Sequence, residues 1–145
     1  MTEPDEDLQT WERDRRKALS GLMQALDAGD MNLDADPLAF APVLDRFAAE
    51  QDYDELDEDD WLWLHTAVAA YLAEVLIRKH DAHWRVRHDS RGENYVLVVT
   101  GYDGEEHEVS PMDVVYEDFR EFPPVVLRMV ATAELTAKLV RQCEK

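Results

Sequence analysis

The chain has 145 residues and a mass of 16.8 kDa, a length that favours one compact domain over two. It is 46% hydrophobic and 33% charged, which supplies a core and a charged exterior and excludes a collagen-like chain or disorder throughout. Thirty-three acids against fifteen bases give a net charge of −18, which disfavours direct contact with nucleic-acid phosphates and with an anionic membrane surface.

The acidity is uneven. Residues 1–60 hold nineteen acids and five bases, a net of −14, whereas residues 61–145 hold fourteen and ten, a net of −4. Residues 1–7 read as a flexible acidic tail and residues 8–145 as a single domain. From Leu8 the spacing turns helical, with Leu8, Trp11, Arg15, Ala18, Leu19, Leu22, Ala25 and Leu26 at steps of three and four. Gly29 is the expected left-handed residue that closes this helix, and Gly21 interrupts its middle. Asp30 to Asp36 is a connector. A second helix is expected over Pro42–Gln51, with Pro42 in its first turn and Val43, Leu44, Phe47 and Ala48 facing inward.

Asp52, Asp54, Glu55, Asp57, Glu58, Asp59 and Asp60 place seven acids in nine residues, immediately before the most apolar segment of the chain. Acids there favour the positive N-terminal end of a helix. The segment Trp61–His80 is the expected central helix, apolar on most sides and so enclosed by neighbours. Trp61, Leu62 and Trp63 widen its apolar surface, and Arg78, Lys79 and His80 close it. After Asp81 the period becomes two. Trp84, Val86 and His88 alternate with Arg85, Arg87 and Asp89, Ser90–Glu93 reads as a hairpin turn, and Tyr95–Thr100 reads as a central strand. Gly101–Gly104 is a second turn before a third strand, Glu105–Val109. A short helix from Pro111 and a terminal helix after Pro123 and Pro124 complete the chain, the latter with Val126, Val130, Ala133, Ala137 and Val140 on one face. The expected fold class is α+β: about four helices packed on a three-stranded antiparallel meander.

Motifs of chemistry are sparse. His80, His83, His88 and His107 do not form a helical metal-binding pair. Asp30, Asn32, Asp34 and Asp36 alternate like a calcium loop, but Ala35 and Ala41 stand where the turn glycine and bidentate glutamate belong. Glu74 lies in the apolar helix, where its carboxylate must be paired, exposed or raised in pKa; pairing with Arg78 four residues on is the simplest solution. His65 reads as a core or interface histidine. No nucleophile elbow, phosphate loop or dinucleotide fingerprint occurs, and Cys143, the single cysteine, has no activating neighbour. No catalytic residue, metal or cofactor is therefore assigned. Arg85, Arg87 and Arg91 form the concentrated basic patch, to be paired with the acidic loops or to dock an acidic or phosphorylated ligand.

The residues Tyr71-Leu72-Ala73-Glu74-Val75, Asp81-Ala82-His83-Trp84, the strand Tyr95–Val99 and Pro111-Met112 carry a resemblance. The stretch 61–119 resembles uncharacterised bacterial families of unknown function in which a Tyr-Leu-Gly-Glu helix leads to Gly-Gly-x-Trp, strands and Pro-Phe. Ala73 and Ala82 replace the usual glycines, and Met112 the usual phenylalanine. The resemblance implies a helix on a small antiparallel sheet in a bacterial cytoplasmic protein, and assigns no catalytic residue.

The functional expectation is a non-enzymatic interaction or regulatory protein, immunity-like or chaperone-like, whose acidic half meets a basic protein partner. The competing readings are a small-molecule or metal-dependent enzyme using Glu74 with His65 or His80 with His83, and a mimic of nucleic-acid charge. Oligomerisation stays open, with Trp11, Trp61 and Trp63 as the aromatics that would serve a second copy if exposed.

Overall fold

The acids before the apolar segment start its helix. In the computed structural model, which describes residues 4–89, 92–121 and 123–139, helix α3 spans Glu58–His80 and so begins three residues before Trp61. Asp57 is its N-cap, its carboxylate accepting a hydrogen bond from the Asp60 N–H at 2.8 Å. Glu58, Asp59 and Asp60 fill the first turn, and Arg78, Lys79 and His80 the last, so both ends match the macrodipole. From Leu64 to Leu76 every side chain except Thr66 is buried. Leu62 and Trp63 are not: they are 56% and 49% exposed, against the expectation that they extend the enclosed surface.

Around α3 stand α1 (Pro4–Ala25), α2 (Ala41–Glu50), α4 (Pro111–Phe119) and α5 (Val126–Thr136), giving five helices among the described residues where about four were expected. Helix α1 begins at Pro4, inside the expected tail, because a proline in the first turn followed by Asp5, Glu6 and Asp7 is a helix start. It ends earlier than Gly29 implies. Asp27 takes the left-handed conformation, φ 58°, while the Ala28 N–H reaches the Met23 carbonyl and the Asp27 N–H that of Gln24, the Schellman arrangement. Aspartate tolerates that conformation, and buried Ala28 anchors the motif. The terminal helix closes the same way with Lys138 at φ 55°; Val140 and Cys143 fall outside the described residues.

The sheet is the expected meander: β1 (His83–Asp89), β2 (Gly92–Thr100) and β3 (Glu106–Val109) in the order β1-β2-β3, all antiparallel. In the register Trp84 faces Leu97, and Leu97 faces Val109. These residues and Val99 join one core with α3, α1 and α5. The other face carries Val96 and Val98, which are buried too. The Arg85–Glu106 and Arg87–Glu108 ion pairs must cross β2 to join β1 to β3, so their alkyl stems roof this apolar strip.

The turn after β2 is locked to the end of α5. The Tyr102 N–H donates to the Lys138 carbonyl at 2.7 Å. A Cβ at Gly101 would lie 2.7 Å from the Ala137 carbonyl oxygen and 2.9 Å from that of Lys138, a closeness only glycine permits. Among the described residues no helix is long and apolar enough to cross a membrane.

Candidate functional site

The acid-rich segment, seven acids in nine residues, is a dense run of a single charge sign. Asp52, Asp54, Glu55, Asp57, Glu58, Asp59 and Asp60 are all exposed, and none takes part in an ion pair among the described residues. Their local duties are small: Asp57 caps α3, and Asp52 accepts the Asp54 N–H at 3.3 Å. The segment is nevertheless anchored. The Tyr53 hydroxyl donates to the Ala48 carbonyl at 2.6 Å, and its ring packs 5.2 Å from that of Trp61. Exposed Leu62 and Trp63 follow directly, with Trp63 edge-on to Phe47 at 6.3 Å.

Trp61 turns the other way, into a groove of about 670 Å³ shared with His65, Asp113, Tyr116, Glu117, Phe119 and Arg120. His65 is 3% exposed and lies among the rings of Trp61, Tyr116 and Phe119 at 5.0, 4.6 and 4.2 Å. Burial pushes its pKa below the usual imidazole value, although the bond to the Trp61 carbonyl opposes this. In the neutral ring Nδ1 donates to that carbonyl at 2.7 Å, leaving Nε2 as the basic nitrogen.

Glu74 lies in a different cavity, of about 300 Å³, between α1, α3 and the loop after α1. It is buried, accepts from Arg78 Nε at 3.0 Å and has Arg16 Nε at 4.0 Å, while Arg78 also pairs with Asp34. Burial raises the Glu74 carboxyl above its ordinary pKa against the pull of Arg16. Thus the expected Arg78 pairing is present, but Glu74 and His65 do not meet in one cavity. His80 and His83 are separated as well: His80 Nε2 contacts buried Glu134 at 2.6 Å, while His83 is exposed on β1. The connector after α1 is built from Asn and Asp turns, the Asn32 side chain accepting from the Asp34 and Ala35 N–H groups. No group of three or more His, Cys, Asp or Glu side chains able to hold a metal ion occurs among the described residues.

The basic patch is dispersed. Arg85 is bound to Glu106 at 3.2 Å and Arg87 lies 3.9 Å from Glu108, both carboxylates on β3, across β2, instead of in the acidic loops. Arg91 falls outside the described residues. Arg87 also lines a cavity of about 320 Å³ between α1, the sheet and the start of α4. Trp11 stacks on Tyr95 there at 4.1 Å and 6°, and meets Trp84 edge-on at 5.5 Å. The Arg15 guanidinium sits over the Trp11 ring, 4.2 Å from its centroid. Thr66, Ala69 and Ala70 of α3 and Ser110–Asp113 complete the lining. Trp11 Nε1 and Arg15 Nε are buried donors without a hydrogen-bond partner, each costing about 1–3 kcal/mol when left so.

This last cavity is what the sequence reading missed. The signal was present in Arg15, which occupies an inward position between Trp11 and Ala18 in the apolar spacing of α1. Trp84, Tyr95, Pro111 and Met112, quoted above for the family resemblance, also line it.

A family described as a Domain of unknown function (DUF3806) matches residues 43–122, over half of the chain, and the chain belongs to that family. The matched span runs from α2 through α4, so α1 and α5 flank it. No curated protein and no solved structure matches the chain.

Proposed function

We propose that this member of the DUF3806 family is a non-enzymatic interaction protein of the bacterial cytoplasm that docks a basic protein partner through the Asp52–Trp63 surface. The observation that carries the reading is the pairing of seven exposed acids that have no counterion among the described residues with two exposed apolar side chains, Leu62 and Trp63. Interfaces combine these parts in a recognisable way. An aromatic anchor supplies most of the affinity, and surrounding charge sets the encounter rate and excludes partners of the wrong sign. Tyr53 and Trp61 beneath the segment hold it in place, so binding does not have to order a loose loop. The cations elsewhere are largely committed: Arg78, Arg85 and Arg128 all bind carboxylates of the same chain.

The test is affinity capture from host lysate with the immobilised chain, beside a variant carrying amides for Asp52, Asp54, Glu55, Glu58, Asp59 and Asp60 and beside Trp63→Ala. A basic protein held at about 50 mM salt, released at about 500 mM and lost with both variants is the expected result. A partner held equally at both salt concentrations, or captured equally by both variants, would contradict it.

A further inference from the structure

We propose that the cavity between α1, the β1–β2 hairpin and the start of α4 is a binding site for a small organic monocarboxylate with a flat apolar body. It is separate from the acidic docking surface and does not depend on it.

The apolar body follows from the walls. Trp11, Tyr95 and Trp84 present three rings, two of them stacked in parallel, and Ala69 and Ala70 leave room on α3 because their side chains are short. A cavity of about 320 Å³ lies at the lower end of the range that takes small ligands. Aromatic faces and edges accept a planar group at little cost in conformational freedom.

The negative charge follows from the donors. Arg15 makes no ion pair among the described residues, in a chain where acids outnumber bases thirty-three to fifteen. Its Nε and the Trp11 Nε1 are two buried N–H groups in want of an acceptor, whereas buried donors are nearly always satisfied. Helix α4 adds the positive end of its dipole at Ser110–Asp113. Ser110 Oγ is already engaged by the Asp113 N–H at 3.4 Å, so the arginine and indole donors are the principal readers.

A single charge follows from Asp113. Its carboxylate shares the lining, and Arg87 is shared with Glu108, so a dianionic phosphate would meet like charge. A monocarboxylate carries half that charge and meets correspondingly less repulsion. Trp84, Tyr95, Pro111 and Met112 lie within the matched family span, and Trp11 and Arg15 of α1 outside it.

Isothermal calorimetry with naphthoate, its neutral analogue naphthamide and naphthyl phosphate tests the assignment on the full chain. Saturable naphthoate binding is expected, weakened roughly tenfold or more for naphthamide and for the phosphate ester. Arg15→Leu, which replaces the cation over the Trp11 ring with an apolar side chain, should weaken naphthoate by a similar factor while still unfolding in one cooperative transition. Thr66→Phe, which fills the cavity and leaves both donors in place, should also abolish binding. Absence of saturable naphthoate binding, equal or tighter binding of the phosphate ester, or unchanged affinity in Arg15→Leu would overturn the proposal. Replacing Glu55 by Gln should leave naphthoate affinity unchanged, and this separates failure of this site from failure of the docking surface.

Discussion

The two ends of α3 use charge in opposite ways. At the N-terminal end, acids stand in solvent and meet no cation among the described residues; one caps the helix, three face the positive end of its dipole, and the others have no charge of opposite sign beside them. At the C-terminal end, the carboxylates are buried and paired: Glu74 with Arg78 inside the helix, and Glu134 of α5 with Lys79 and His80. Nearby, the β2–β3 turn is bolted to the end of α5 through Gly101 and Tyr102. Paired charge in a sheltered place holds elements together. Unpaired charge in water contributes little to stability, and its cost is tolerated where something outside the chain meets it. The difference teaches that charge density alone does not separate the two roles: residues 52–60 carry seven acids and no Arg or Lys, whereas the other end sets Glu74 and Glu134 against Arg78 and Lys79.

If the paired end is the structural one, the largest losses should come from there. Gly101→Ala drives a methyl into two backbone carbonyls and should cost about 3 kcal/mol in denaturant unfolding. Glu134→Ala should cost about 2 kcal/mol, since it strands the Lys79 and His80 groups that hydrogen-bond to it. Burial pushes the Glu134 carboxyl up, but hydrogen bonds and charge from His80 and Lys79 outweigh this and hold it below the ordinary value of 4.5. The Glu134 contribution should therefore be complete above pH 4.5 and fade as the pH falls through the depressed folded value. Unfolding curves of parent and Glu134→Ala should converge in that acid range. Glu74 has the opposite sign, being raised by burial, so acidification relieves a cost there instead of removing a support.

At the exposed end the effects should be smaller. Asp57→Ala removes the cap from Asp60 and should cost about 1 kcal/mol, the one structural debt in the acid run. Asp54→Asn with Glu55→Gln should change stability by no more than about 0.5 kcal/mol, in the stabilising direction because like charges are diluted.

Much of this architecture was legible in order and type. Residue spacing and turn signals placed the helical segments and the three strands in order, although the fold class expected about four helices and the described residues hold five, and the continuous apolar run Tyr95–Thr100 correctly marked a strand buried on both faces. It did not say how Val96 and Val98 are covered, because the roof consists of arginines and glutamates that read as a wet face. The end of α1 was misplaced at Gly29 because aspartate can also take the left-handed turn, as Asp27 does. Leu62 and Trp63 read as core from their hydrophobicity, and only the packing of the neighbouring helices leaves them outside. The cavity beside Trp11 was beyond reach for a different reason: its lining comes from α1, α3, β1, β2 and α4, and no local spacing joins residues that far apart in the chain.

The account rests on the acids of the segment before α3 serving a partner and not the fold. The most direct measurement is chemical denaturation of Asp52→Asn/Asp54→Asn/Glu55→Gln, run beside partner capture at low salt. Stability unchanged or raised together with lost capture is the predicted result. A loss of about 1 kcal/mol or more with capture intact would place those carboxylates in the fold and contradict the account.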